Sequence, residues 1–349
     1  MDKKNTIIGV SLLIAAFALM YFGPKPTAPS TAQPSPDVTR AVGSNQAPSA
    51  GTSGSTMPRD TAYAAVYREV SEAKTIALRN DMVEFRLTNY GGAIKECAVR
   101  GYDADKARKG EPYVINRLHA DPSLAIVDFP GLDRNSAYEL VSSSPTEAVF
   151  RAVFENRIEV VRRYSIAPGS GDVRSDPYQL RYETVFRNLT EQSLPLPRIQ
   201  MSVGTAAPLN AEDYGLYLSN GYNSGGKTSI VKRSSLEGGG MLSWVGMGSK
   251  DPIPFIETAA SISWASVQNQ FFVSILTPDQ PGSSLVSRRV ELPSFPGSTK
   301  PAIGMTGVAR FDLPVLAPKG EARLSGSFYA GPKEYTRLSN AEIFKLDQD

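Results

Sequence analysis

The sequence predicts an all-β sandwich. Apolar and polar residues alternate with a period of two in nearly every segment after residue 75, as in strands with one buried face. Clusters of Gly, Asn, Asp and Pro separate these segments at short intervals. Beyond the N-terminal apolar run there is only one good helical pattern. No internal repeat and no second domain boundary is visible, so one large sandwich is expected from about Thr75 to Ala330.

The N-terminal residues 1–6 are basic and polar. Residues 7–23 then predict a transmembrane anchor helix. Ile7, Ile8, Val10, Leu12, Leu13, Ile14, Phe17, Leu19 and Met20 supply its apolar surface, and Tyr21 and Phe22 sit where aromatics favour a membrane interface. The uncharged run Ile7–Phe22 would be roughly 24 Å long as a helix, and its flanks extend it towards the ~30 Å hydrocarbon core. Lys3 and Lys4 place residues 1–6 in the cytoplasm and everything after Gly23 outside. A cleaved signal peptide is the competing reading, but Ala16-Phe17-Ala18, its small-x-small candidate, lies inside the run rather than after it. No cysteine stands directly after the run, which argues against a lipoprotein.

Residues 24–60 are dominated by Pro, Ala, Ser, Thr and Gly and cannot bury enough surface to offset their ordering entropy. They read as a disordered tether, with a typical span of about 30–35 Å. The folded region is expected over 61–332. Thr75–Leu78 is a short strand, Val83–Leu87 a second, and Ala93–Val99 a third after the Asn89-Tyr90-Gly91-Gly92 turn. Tyr102 to Asp121 reads as polar and irregular. Alternation returns at Val149–Phe154 and Ile158–Ile166. Tyr178, Leu180, Tyr182, Thr184 and Phe186 share one face of the next strand. Asn188-Leu189-Thr190 matches a glycosylation acceptor, but beside a strand end it reads as turn chemistry.

Leu209 to Gly248 is rich in Gly, Ser and Asn and reads as a flexible excursion. Its Gly238-Gly239-Gly240 lacks the ending of a phosphate loop. Ser263–Pro278 is the strongest late strand signal, with Trp264 expected in the core, where Trp to Ala typically costs ~3–5 kcal/mol. Strands follow at Ser284–Leu292, Gly304–Leu313 and Ala322–Tyr329. Residues 333–349 then carry Tyr335, Leu338, Ile343, Phe344 and Leu346 at helical spacing.

Composition narrows the function. The formal net charge of +2 implies no nucleic-acid partner. The one cysteine, Cys97, permits no intramolecular disulfide and sits in a strand pattern as a buried structural thiol. The single histidine, His119, excludes a histidine-rich metal site or a two-histidine mechanism. No metal, cofactor or catalytic residue is expected.

Four features resemble the YidC/Oxa/Alb family of membrane protein insertases. The basic-apolar start followed by a Pro/Ser/Ala tether is the layout of its Gram-negative members. Thr75 to Val99, with Gly91-Gly92, resembles the family's opening hairpin. Trp264-Ala265-Ser266-Val267-Gln268-Asn269-Gln270-Phe271-Phe272 is similar to its W-x-x-x-Q-x-x-Y/F-F block, with Phe at 271. Phe328-Tyr329-Ala330-Gly331-Pro332-Lys333 is similar to the Y-x-G-P-K block that closes its periplasmic domain.

The resemblance implies a periplasmic, galactose-mutarotase-like β-supersandwich on the bacterial inner membrane. Nascent membrane proteins and Sec translocon subunits would be its partners. The family's hydrophilic groove and arginine can be assigned to no residue here, so the chain would be the accessory region without the insertase core. Two other functions compete on the same fold. A sugar epimerase needs a positioned acid and base, which His119 in an irregular stretch supplies poorly. A carbohydrate- or peptide-binding module could use Tyr214, Tyr217, Tyr222 and Trp244 to line a cleft.

Overall fold

A computed structural model describes residues 72–104, 108–129, 131–167, 176–196, 198–238 and 251–340. The chain divides into two compact units, 1–54 and 55–349. The first lies wholly outside the described residues, as do the expected anchor 7–23, the expected tether 24–60, Trp244 and residues 341–349. Among the described residues no helix is long and apolar enough to cross a membrane.

Among the described residues seventeen strands form the folded part. The first eight are β1 Thr75–Arg79, β2 Val83–Thr88, β3 Ala93–Asp103, β4 Pro112–Ile115, β5 Glu139–Ser143, β6 Glu147–Phe154, β7 Ile158–Ile166 and β8 Gln179–Asn188. Then come β9 Ile199–Ala206, β10 Ser219–Ser224, β11 Lys227–Lys232, β12 Phe255–Ile262 and β13 Trp264–Gln268. The last four are β14 Phe272–Pro278, β15 Gly282–Ser294, β16 Pro301–Phe311 and β17 Glu321–Pro332, followed by a short helix, α1, Tyr335–Asn340. A nine-stranded sheet runs β11-β10-β13-β14-β17-β8-β7-β6-β5. Two four-stranded sheets, β1-β2-β3-β4 and β12-β15-β16-β9, pack on its inner face, the first against β7 and β17, the second against β10, β13 and β14. The expected all-β sandwich is therefore present.

The segment between β4 and β5 joins the two smaller sheets. Ser123 exchanges backbone bonds with Ile94 of β3, and Leu124, Ala125 and Val127 bond to Ser202 and Gln200 of β9. Its backbone is contorted, with φ of 66° at Asn116, 53° at His119 and 65° at Leu124. Such values are uncommon for residues with a Cβ.

One side chain of the larger sheet holds this junction. Arg162 lies on the inner face of β7 with Ile158, Val160, Tyr164 and Ile166 and is fully buried. Its Nη1 donates to Gly91 O at 2.7 Å, its Nη2 donates to Leu124 O, and Tyr164 donates to Gly92 O at 2.6 Å. The Gly91-Gly92 turn can approach so closely because φ is 73° and 52°. A Cβ on Gly92 would also press on the Tyr138 ring at 3.1 Å.

The outer face of the large sheet is divided. Over β6, β7, β8 and β17 it carries linked ion pairs: Glu159 with Arg151 and Arg187, Glu321 with Arg187 and Arg323, and Glu183 with Arg323 and Arg163. Exposed pairs add little stability singly, but such a lattice keeps the surface wet. Over β11, β10, β13 and β14 the outward register positions are instead Ile230, Gly221, Trp264, Ser266, Val273 and Ile275.

Several sequence expectations need correction. The stretch read as irregular between Tyr102 and Asp121 contains β4, and β5 and β9 gave no strand signal. The Gly/Ser/Asn excursion contains β10 and β11. β10, Ser-Asn-Gly-Tyr-Asn-Ser, has no apolar alternation because its inward position holds Asn220, whose amide donors are matched across the sandwich while its Oδ1 is buried without a hydrogen bond among the described residues. Asn220 Nδ2 donates to Ser287 Oγ at 3.1 Å and Thr306 O at 2.9 Å. Trp264 is half-buried on the outer face rather than in the core, so its loss should cost less than a core tryptophan. Asn188 is fully buried. Its Nδ2 donates to Gln192 O and Ala317 O, and its Oδ1 accepts from Thr190, so it is turn chemistry as read and closed to glycosylation.

Asp121, in the junction segment, gives a pH-dependent prediction. One oxygen accepts from Arg134 at 2.9 Å while Oδ1 is buried without a hydrogen bond. Burial, opposed by Arg134, pushes this carboxyl from 3.8 up to about 6. The folded protein thus holds the proton more tightly than the unfolded chain. The favourable contribution is complete below 3.8 and is lost as pH rises through about 6. Asp121→Asn removes this dependence. At ~1.4 kcal/mol per pH unit, the stability of the wild type relative to the variant should fall by about 2–3 kcal/mol between pH 4 and 7.5. Urea unfolding of both proteins across that range checks it.

Candidate functional site

The two late sequence blocks meet at one end of the large sheet. β14 pairs antiparallel with β17 so that Phe272 lies opposite Pro332 and Val273 opposite Gly331. The turn before β14 is tied by Asn269, whose Oδ1 accepts from the amides of Phe271 at 3.1 Å and Phe272 at 2.9 Å. Asn269 Nδ2 donates to Tyr113 Oη at 3.0 Å and Ala207 O at 3.2 Å, joining the turn to β4 and to the residue after β9. Phe272 is buried and stacks on Tyr113 with ring centroids 3.8 Å apart and planes 4° from parallel.

The chain leaving β17 is fastened to this turn. Lys333 N donates to Phe271 O at 2.8 Å and its Nζ to Asn269 O at 3.3 Å. Desolvation holds that ammonium below the usual lysine range. Tyr329 is buried and donates to Pro332 O at 2.7 Å. Gly331 is required by proximity, since a Cβ there would lie 2.8 Å from the Tyr178 ring.

α1 is clamped next. Tyr102 donates to Glu334, and Arg337 donates to Glu334 at 3.1 Å and to Asp176 at 3.1 Å. The Arg337 guanidinium also lies 4.9 Å from the Tyr178 ring centroid. The Tyr102 hydrogen bond, with Arg337, holds the Glu334 carboxyl below its ordinary range, while burial and Glu334 push Tyr102 up to about 12. Tyr335 is left 80 % exposed and Leu338 packs inward. A groove of about 380 Å³ between α1 and the outer face is lined by Trp264, Ile230, Ile275 and Leu338, with Lys333 also on its wall.

The structure thus brings together Trp264, Gln268, Phe271, Phe272, Tyr329, Gly331, Pro332 and Lys333. Gln268 Nε2 donates to Ser219 Oγ at 3.0 Å and braces β13 to β10. Gly91 and Gly92 lie elsewhere, at the Arg162 junction. The aromatic cleft expectation finds no such grouping. Tyr214 and Tyr217 are exposed in the loop before β10, Tyr222 packs towards the core, and Trp244 lies outside the described residues. His119 Nδ1 is buried without a hydrogen bond among the described residues. Cys97 is buried against Ala330 O, and burial pushes its thiol up, away from reactivity. Among the described residues no group of three or more His, Cys, Asp or Glu side chains is placed to hold a metal. Sequence reading missed Asn269, Tyr102, Tyr113, Asp176 and Arg337. Only Asn269 carried a signal, as a polar residue inside the late block.

A family model described as the YidC periplasmic domain matches residues 75–349. No curated protein matches the chain. Among solved structures, the chain is similar to a galactose mutarotase related enzyme from Lactobacillus acidophilus. The two are 9 % identical, the match covers 74 % of this chain and 97 % of that one, and the TM-score is 0.44. It is also similar to a galactose mutarotase-like protein from Lactobacillus casei ATCC 334. Here the identity is 10 %, the coverage 74 % and 100 %, and the TM-score 0.45.

Proposed function

The chain belongs to the YidC periplasmic-domain family, and on that premise we propose that it is the accessory periplasmic part of a membrane protein insertase. In this reading it has no chemistry of its own. It helps insertion and folding of membrane proteins, alone or beside the Sec translocon, while residues 7–23 anchor it in the bacterial inner membrane. The sandwich is a rigid mount. The observation that carries the reading is the double fastening of the chain after β17: Lys333 to the Asn269 turn, then Arg337 to Asp176 and Glu334. Such a fastening fixes the direction in which the polypeptide leaves the domain, which a linker would leave free.

The reading also sets a limit. Insertion needs a polar path enclosed by several helices, because polar groups facing lipid cost several kcal/mol each. One apolar run, Ile7–Phe22, with no charged residue cannot enclose such a path. Residues 1–349, expressed alone in cells depleted of their insertase, should therefore fail to restore insertion of a small phage-coat-type client. Restored insertion would overturn the accessory role.

A further inference from the structure

Phe271 stands at the tip of the β13–β14 hairpin with 53 % of its surface exposed, although the adjacent Phe272 is buried. Depressions open on both sides of it. One, of about 720 Å³, reaches from Phe271 to Phe295 and Leu209. The other, of about 350 Å³, reaches from Phe271 to Tyr102 and Pro332. Phe272, stacked on Tyr113, lines both. Each is large enough to take apolar side chains.

Charge limits what can bind. Arg108 and Arg117 line the larger depression together with Asp103 and Glu212, so its formal charges cancel. Arg117 is itself engaged, donating to Leu209 O at 2.8 Å and lying 4.9 Å from the Phe295 ring centroid. Asp103, Lys333 and Glu334 line the smaller one, so across the two depressions three cationic side chains balance three anionic ones, and net charge favours neither phosphates nor cations.

We propose that the Phe271 ridge and its two flanking depressions bind an extended, uncharged apolar segment of another polypeptide. In an extended chain, side chains i and i+2 point the same way about 7 Å apart. Two such side chains straddle one phenyl ring and enter the two depressions. A compact ligand such as a sugar fills one depression and leaves the exposed ridge without a role. Backbone groups of the bound segment meet the charged rim, so affinity comes from the pockets and polar contacts from the main chain. The site goes beyond the mount function and does not depend on it.

The test uses the full chain in lipid nanodiscs, with empty nanodiscs as reference. The probe is a fluorescein-labelled decapeptide of alternating Leu and Thr, followed by anisotropy. Saturable binding is expected, at least tenfold weaker for Phe271→Ala and unchanged for Val141→Ala, an exposed apolar residue on the edge strand β5. A peptide of alternating Glu and Thr should not bind. No saturable binding, equal binding by Phe271→Ala, or displacement of the probe by a neutral oligosaccharide would each overturn the proposal.

Discussion

Replacing Arg162 by alanine should lower the stability of the folded domain by about 3–5 kcal/mol, the sum expected from a large buried cavity and two buried carbonyls left without donors. The guanidinium is fully buried and reaches two backbone carbonyls, Gly91 O in the β2–β3 turn and Leu124 O in the segment that joins the two smaller sheets. Alanine leaves both carbonyls without those donors in a site closed to water and opens a cavity the size of most of an arginine side chain. Arg162→Met separates these effects. It keeps much of the volume and removes the charge, so it should lose less than Arg162→Ala. Arg162→Lys keeps a charge but presents a compact ammonium in place of the fork, so it should recover only part of the loss. Guanidinium unfolding midpoints at constant slope give the ranking. A loss under about 1 kcal/mol for alanine would mean that the two smaller sheets are joined without this side chain.

Asn269→Ala should have the second largest effect, about 3 kcal/mol on stability. The substitution removes two donated and two accepted hydrogen bonds from a side chain only 5 % exposed. It also frees the turn whose carbonyl holds Lys333, so the effect reaches the mount as well as the core. Asn269→Asp is the informative partner. It keeps an acceptor for the Phe271 and Phe272 amides, loses both donors and buries a carboxylate. It should destabilise at neutral pH and regain stability as the pH falls and the acid is protonated. A variant as stable as the wild type at pH 7 would contradict the role given to this residue.

The contrast between these two residues and the sequence reading has a physical cause. Alternation located β2, β3, β6, β7 and β8 because those strands bury one face in a continuous apolar core. The family resemblance drawn from Trp264–Phe272 and Phe328–Lys333 agrees with the matched periplasmic-domain model. Arg162 was invisible because it occupies an inward position of an otherwise apolar strand, and its partners are backbone carbonyls 71 and 38 residues away. β10 was missed for the same kind of reason, since Asn220 takes the place of an apolar residue and is paid for by partners on another sheet. Trp264 was assigned to the core on residue type alone, yet its register puts it on the outer face. The clamp on α1 depends on Tyr102, Asp176 and Arg337, which come from three distant stretches of chain and carry no local pattern.

In the proposed function, the fastening after β17 would direct the departing chain towards membrane-embedded insertion machinery. Tyr335 is the probe position, because it is 80 % exposed on α1 beside the clamp. A photoreactive phenylalanine at position 335 of the full chain, activated in living cells, should form adducts with integral membrane proteins of that machinery. The same group at Arg323, on the charged outer face, should not. Adducts with soluble periplasmic proteins alone, or identical patterns from the two positions, would contradict the account.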